Sequence, residues 1–227
     1  MSKLKKFLLI DTETCQDGTI YDFAALVVDR HGKIYHTIAV IIYENSNKEL
    51  FNNNNSSVFS KANLISRKYS YDRMLERGER SITSINGINN WLTKVYKKYP
   101  DITHSAYNLN FDEGAMIKTG IIYKQANPRL CLWYACAHIF AKSKRYITYC
   151  NKSRLYSPKI IIKTSAEVMY NYLFNEFSIS IQEPHTALED CYLERDILVK
   201  LLQQRKKMDY VYNWRDFTVQ KCFERFI

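Results

Sequence analysis

The sequence predicts an α/β domain: a mixed sheet with helices packed on it. Residues 4–43 hold three apolar runs rich in β-branched and aromatic residues, separated by turn-like segments. The stretches "TSINGINNWLTKVYKKY" and "HTALEDCYLERDILVKLLQQRKK" place apolar side chains at helical spacing. Between them "DITHSAYN" reads as a further strand, so strands and helices alternate after the opening meander.

The first three strands are expected near 4–11, 20–29 and 34–43. "RHGK" supplies the turn between the second and third, with Gly32 able to take a positive φ. The pattern then breaks. Residues 44–80 are polar and too long for an ordinary connection, which predicts an insertion, part surface loop and part short helices. Ile85, Ile88, Leu92 and Val95 mark the first helix, which Pro100 ends. "FDEGAMIKTG" follows the fourth strand as a short helix closed by Gly120. After Pro128, residues 129–141 begin as a strand and continue as a helix. Residues 142–163 are basic and aromatic and end in "KIIIK". "TSAEVMYNYLF" opens with a capping box, Thr164 or Ser165 serving as cap with Glu167 behind it. Pro184 disfavours helix in the residue before it, and Thr186 with Glu189 forms a second capping box. The last helix therefore starts at Thr186 and leaves His185 on the loop. No element is predicted for 208–227.

The 227 residues suffice for one sizeable domain, and the 46% apolar fraction is that of a chain that buries a core. A net charge of +10 favours an anionic partner, most commonly nucleic acid. No apolar stretch approaches a membrane span. The basic start "MSKLKKFLLI" meets Asp11 too early for a signal peptide, so a cytoplasmic protein with reduced thiols is expected. Cys131, Cys136, His138 and Cys150 have C-x4-C rather than C-x2-C spacing and lie in or near an apolar run. Buried free thiols are therefore the stronger reading over zinc.

Three short motifs carry chemistry. In "LLIDTETC" Asp11 and Glu13 are two apart on a strand and share a face. Carboxylates that close repel unless one is protonated or a cation sits between them, and hard oxygen donors suit Mg²⁺ or Mn²⁺. In "AYNLNFDEGAM" Asp112 sits where a strand gives way to a helix, the place where ligands collect in α/β sheets. The Asn108 amide can hold the loop that aims it. In "EPHTALEDCYLERD" His185 lies on the loop and Asp190 at the end of the helix's first turn. Taken singly, each has a plainer reading: edge-strand acids, a helix cap, a loop histidine, an acid at the helix dipole.

Together and in this order the motifs resemble the DEDDh (DnaQ-like) branch of the 3′–5′ exonucleases: D-x-E, then N-x2-F-D, then H-x4-D. The resemblance spans residues 7 to about 202. It departs where Cys15-Gln16-Asp17-Gly18 follows "DTET", since many relatives have Thr-Gly at once, and where Tyr107 replaces a common histidine. It implies an RNase-H-like fold with a central mixed five-stranded sheet flanked by helices. The exonuclease domain would occupy 1–204 with the insertion at 44–80, and 205–227 would form a tail packed on the same domain.

It also implies a two-metal site. Asp11, Glu13, Asp112 and Asp190 would hold two divalent cations, Mg²⁺ or Mn²⁺, roughly 3.5–4 Å apart. Asp11 would bridge them and His185 would act as general base. Thr12, Thr14, Asn108 and Phe111 would contact substrate. The partner would be nucleic acid with a free 3′ end, single-stranded DNA before RNA, and the products nucleoside 5′-monophosphates. Alternatives are an exoribonuclease, a polymerase proofreading subunit with an unknown replication or repair partner, and a non-catalytic nucleic-acid-binding domain. Arg67, Lys68, Arg73, Lys142, Lys144, Arg145, Lys152 and Arg154 are candidates to guide the strand. Tyr69, Tyr71, Tyr146 and Tyr149 are candidates to stack on bases.

Overall fold

A computed structural model describes residues 4–50, 61–157 (61–67 by backbone alone), 161–174, 185–204, 206, 217 and 218. Part of the expected insertion loop, the first two residues of "KIIIK" and most of the tail lie outside the described residues.

The opening meander forms as expected. β1 (Lys6–Thr14) pairs antiparallel with β2 (Ile20–Asp29), and β2 with β3 (Ile34–Ile42). β1 does not stop at Asp11 but runs on through the acidic stretch, with Asp11 opposite Ala24 and Glu13 opposite Asp22. The carboxylates are thus held by strand geometry and not by a loop. β4 (Ser81–Thr83) lies parallel to β3, β5 (Thr103–Ala106) parallel to β1, and β6 (Arg129–Cys131) parallel to β5. The order is β4-β3-β2-β1-β5-β6. Among the described residues the sheet therefore has six strands where five were expected. The extra one is the short return from the insertion. It is only three residues long and its Ile82 is exposed, so no apolar alternation marks it. A meander on one side of β1 and parallel strands on the other match the RNase-H-like class.

Helices cover both faces. α1 (Lys61–Glu76) lies in the insertion, and α2 (Ile85–Lys98) follows with Ser84 Oγ accepting the Gly87 N–H. α3 (Leu109–Thr119) ends on Gly120 at φ 82°, a left-handed cap that glycine adopts without strain. α4 (Leu132–Cys136) runs into a π turn, Ala137–Ala141. α5 (Lys144–Lys152), α6 (Ala166–Phe174) and α7 (Ala187–Gln203) complete the set. No helix among the described residues is long and apolar enough to cross a membrane.

Strand alternation divides the core. Phe7 and Leu9 of β1, with Ala24, Leu26 and Val28 of β2, face α4, α6 and α7. Leu8 and Ile10, with Phe23, Ala25 and Val27, face α2 and α3. Phe217 is buried in the first of these layers, and its carbonyl accepts the Ile162 N–H.

Two aromatic expectations are corrected. Tyr71 is fully buried and packs on Tyr21, with ring centroids 5.2 Å apart, beside Cys15, Ile41 and Leu50. Tyr146 is fully buried and its hydroxyl donates to the Lys163 carbonyl at 2.7 Å. Neither can stack on a base. Each lies on the inner face of a helix whose outer face is charged, so the surrounding polarity hid the apolar side. Tyr69 is exposed and Tyr149 half-buried.

Candidate active site

Sheet order turns at β1, with β2 on one side and β5 on the other, and the acids gather at the carboxyl ends of β1 and β5. Crevices at such switch points are where α/β sheets bind ligands. Asp11 and Glu13 share the β1 face on which α7 packs. Thr12 points to the opposite face, where its hydroxyl donates to Asp112 Oδ1 at 2.8 Å. Asp112, in the first turn of α3, thus reaches the site from the other side of the sheet. It is 3% exposed, as is Asp190 in the first turn of α7. One donor atom each from Glu13, His185 and Asp190 lies within 4.8 Å of the others.

Two left-handed residues frame the site. Asn108 turns the chain from β5 into α3 at φ 76°, and His185 precedes α7 at φ 54°. Asparagine tolerates this region through its short polar side chain, whereas histidine adopts it less readily. The Asn108 side chain does not cap α3; the backbone carbonyl of Asn108 accepts the Phe111 N–H at 2.8 Å. Of the other expected substrate contacts, Thr12 and Thr14 are buried and Phe111 is about half exposed. A cavity of about 800 Å³ opens beside Asp11, lined among others by Tyr107, Asn108, Trp133, Thr164 and Glu194. Trp133 Nε1 donates to the Thr164 hydroxyl, so that side chain is engaged there and is not the cap of α6, which starts at Ala166.

The electrostatics are those of crowded acids in a dry place. Burial pushes the Asp11 carboxyl well above the usual range, and Asp190, Asp112, Glu194 and Glu13 push it further. Burial raises Asp112 to about 8; the Thr12 hydrogen bond opposes the rise and Glu13 adds to it. Protons or cations must relieve this repulsion. The donors are all hard oxygens plus one imidazole, a set that fits Mg²⁺ or Mn²⁺. Among the described residues, Cys131, Cys136, His138 and Cys150 do not gather as a ligand set.

The motif pattern missed Glu194. It lies one helical turn beyond Asp190, is 2% exposed, and accepts the Tyr107 N–H at 2.7 Å. It ties α7 to the turn that leads to Asn108 and Asp112. The spacing from Asp190 was readable, but an acid in "LERD" reads as solvent-facing. A buried ionic network was missed too. Arg80 Nε lies 3.3 Å from Asp22 Oδ1, and Arg80 Nη2 lies 2.5 Å from Glu189 Oε2. Asp22 Oδ2 accepts the Ala187 N–H, while the Thr186 hydroxyl donates to Glu189 at 2.7 Å. The expected capping box is therefore modified: Asp22 caps α7 from β2. Burial raises the Asp22 carboxyl and Arg80 counters it. Cys15, where the sequence departs from the DnaQ-like pattern, is buried in a bridge to Leu50 and faces the insertion.

No protein-family model and no curated protein matches the chain. A solved structure described as "Exonuclease X in complex with 5' overhanging duplex DNA" superposes with a TM-score of 0.46 and 17% identity, over 93% of this chain and 97% of that one.

Proposed function

We propose that this chain is a divalent-metal-dependent 3′–5′ exonuclease of the DEDDh kind, which removes nucleoside 5′-monophosphates from single-stranded DNA. One observation carries this reading: Glu13 of β1, His185 and Asp190 of α7 offer donor atoms within 4.8 Å of one another, and Asp11 lies close enough to Asp190, Asp112 and Glu13 for each to raise its carboxyl.

Asp11, Glu13, Asp112 and Asp190 would hold two cations, Mg²⁺ or Mn²⁺. Such ions, when bound, stabilise charge on the phosphate and the leaving oxygen and make water nucleophilic. His185 accepts the proton of the attacking water; a histidine's ordinary pKa of about 6.5 suits that task near neutral pH. Thr12 orients Asp112, and Glu194 holds the turn that aims it. Five described cysteines are free, in keeping with a reducing, cytoplasmic setting.

The test is digestion of 3′-labelled single-stranded DNA and of RNA of the same sequence in Mg²⁺, Mn²⁺ and EDTA. Mononucleotides released from the DNA 3′ end only with metal support the reading. Faster loss of RNA reassigns the substrate. Internal cleavage, or release in EDTA, overturns the mechanism.

A further inference from the structure

A second concave surface lies towards the other end of α7. Two adjoining depressions of about 710 and 650 Å³ share Arg145 and Tyr172 in their walls. Lys200 and Lys206 line the first, and Lys144 and Lys152 the second. No carboxylate is among the described residues that line either one. Glu167, close enough to raise the Tyr149 phenol beyond what burial alone does, stands outside both.

The rings matter as much as the charges. Tyr172 is nearly buried and forms the shared floor, while Tyr149 is half-buried in the wall and Phe174 is exposed at the rim. The Arg145 guanidinium lies 5.9 Å from the Tyr172 centroid and Lys200 Nζ 5.2 Å from that of Phe174. Like charges gathered around a hollow repel one another, and that repulsion opposes the fold. A polyanion relieves that repulsion, and one with flat rings also uses Phe174 and Tyr149. An acidic peptide would leave the rings idle. An anionic membrane meets a flat or convex face better than two hollows.

The surface is separate from the acidic site yet joined to it. Lys200 is ten residues beyond Asp190 on α7, or about 15 Å along the axis. α6 begins at Ala166, in the cavity beside Asp11, and ends at Phe174, in the first depression. Ser157 lines that cavity and Ser153 the second depression. We propose that this surface is an exosite for the sugar–phosphate backbone of a single strand whose 3′ end occupies the acidic site. The inference rests on the exonuclease reading above and adds a holding site remote from the chemistry.

The test combines Lys144→Ala, Lys152→Ala and Lys200→Ala in the full chain and reads two quantities. The first is anisotropy of a fluorescein-labelled 30-nucleotide single strand in EDTA, titrated with salt. Affinity should fall at least tenfold, and the log–log salt slope should shrink by about 2, since each backbone contact on a single strand contributes about 0.7. The second is hydrolysis of the p-nitrophenyl ester of thymidine 5′-monophosphate in Mn²⁺, too small to reach the exosite; its rate should stay within twofold. The corresponding Lys→Arg variants should bind like the unaltered protein. Unchanged binding by the alanine variant overturns the exosite, as does a protein that binds no 30-mer. Loss of binding to phosphatidylserine vesicles but not to DNA reassigns the surface to a membrane and overturns it too. Failure of the unaltered protein to cleave the ester counts against the exonuclease reading and leaves the binding result to judge the exosite.

Discussion

Asp22 Oδ2 accepts the Ala187 N–H at 3.0 Å, although 165 residues separate the two. Asp22 stands opposite Glu13 in the β1–β2 ladder, and Ala187 is the first residue of α7. One carboxylate therefore fixes the start of the helix that carries Asp190, beside the strand that carries Glu13. Arg80, at the exit of the insertion, completes the clamp.

Asp22→Ala leaves the buried Arg80 guanidinium with Glu189 as its one remaining carboxylate partner in this network and uncaps the Ala187 N–H. Removing one partner of a buried pair costs about 3–5 kcal/mol. Urea unfolding should show a loss of that order. Adding Arg80→Met to Asp22→Ala should recover part of it, because the buried charge left with half its partners goes as well. Simple additivity of the two losses would mean that the pair is not coupled.

Asp11→Asn and Asp190→Asn should each lower metal-dependent nucleotide release by at least about 10³-fold, while circular dichroism stays native. The Asp11 variant should also melt no lower than the unaltered protein in EDTA, since the amide stands in for a carboxyl that burial and four neighbouring acids already push towards its neutral form. Retention of most activity by either variant would show that the assignment of the site is wrong.

His185→Ala separates a base from a ligand. Rate should fall about 10²–10⁴-fold, the usual range for a lost general base. Mn²⁺ affinity by calorimetry should stay within threefold, whereas Asp190→Ala loses it. Because His185 lies within 4.8 Å of Glu13 and Asp190 donor atoms, the opposite result has a clear meaning. Equal loss of metal in both variants would make His185 a ligand.

Stability of the metal-free protein should fall as pH rises. Asp112 holds its proton to about pH 8 when folded, against an ordinary value of 3.8, and Asp11 is raised as well. Between those limits the folded chain carries protons that the unfolded chain has released, so raising pH favours unfolding. The contribution is intact below about pH 4 and gone above about pH 8. Melting in EDTA should drop by roughly 4 °C or more from pH 6 to pH 8.5. Mg²⁺ should flatten that slope, and a slope equally steep with Mg²⁺ would show that no cation replaces the protons.

What the sequence made legible was local. The meander, α2, α3 and α7 all announce themselves by period and by caps, and period two puts Asp11 and Glu13 on one face. The three motifs in order pointed to His185, Asp112 and Asp190. Distant pairings were not legible. Asp22 sits in a strand that otherwise reads as apolar, and Arg80 in a run of surface-like charges; nothing local says that they meet. Glu194 reads as a solvent acid until Tyr107 is brought to it. Tyr71 and Tyr146 looked like loop aromatics because their neighbours are charged. Each burial depends on which helix face the rest of the fold covers.

His185 stands at φ 54°, a backbone setting that costs a side-chain-bearing residue about 1 kcal/mol or more and glycine almost nothing. If His185 is the general base proposed above, durability and turnover are opposed at this one position. A population of variants selected only for heat resistance would then accept glycine here early, gaining hardiness at the expense of nucleotide release.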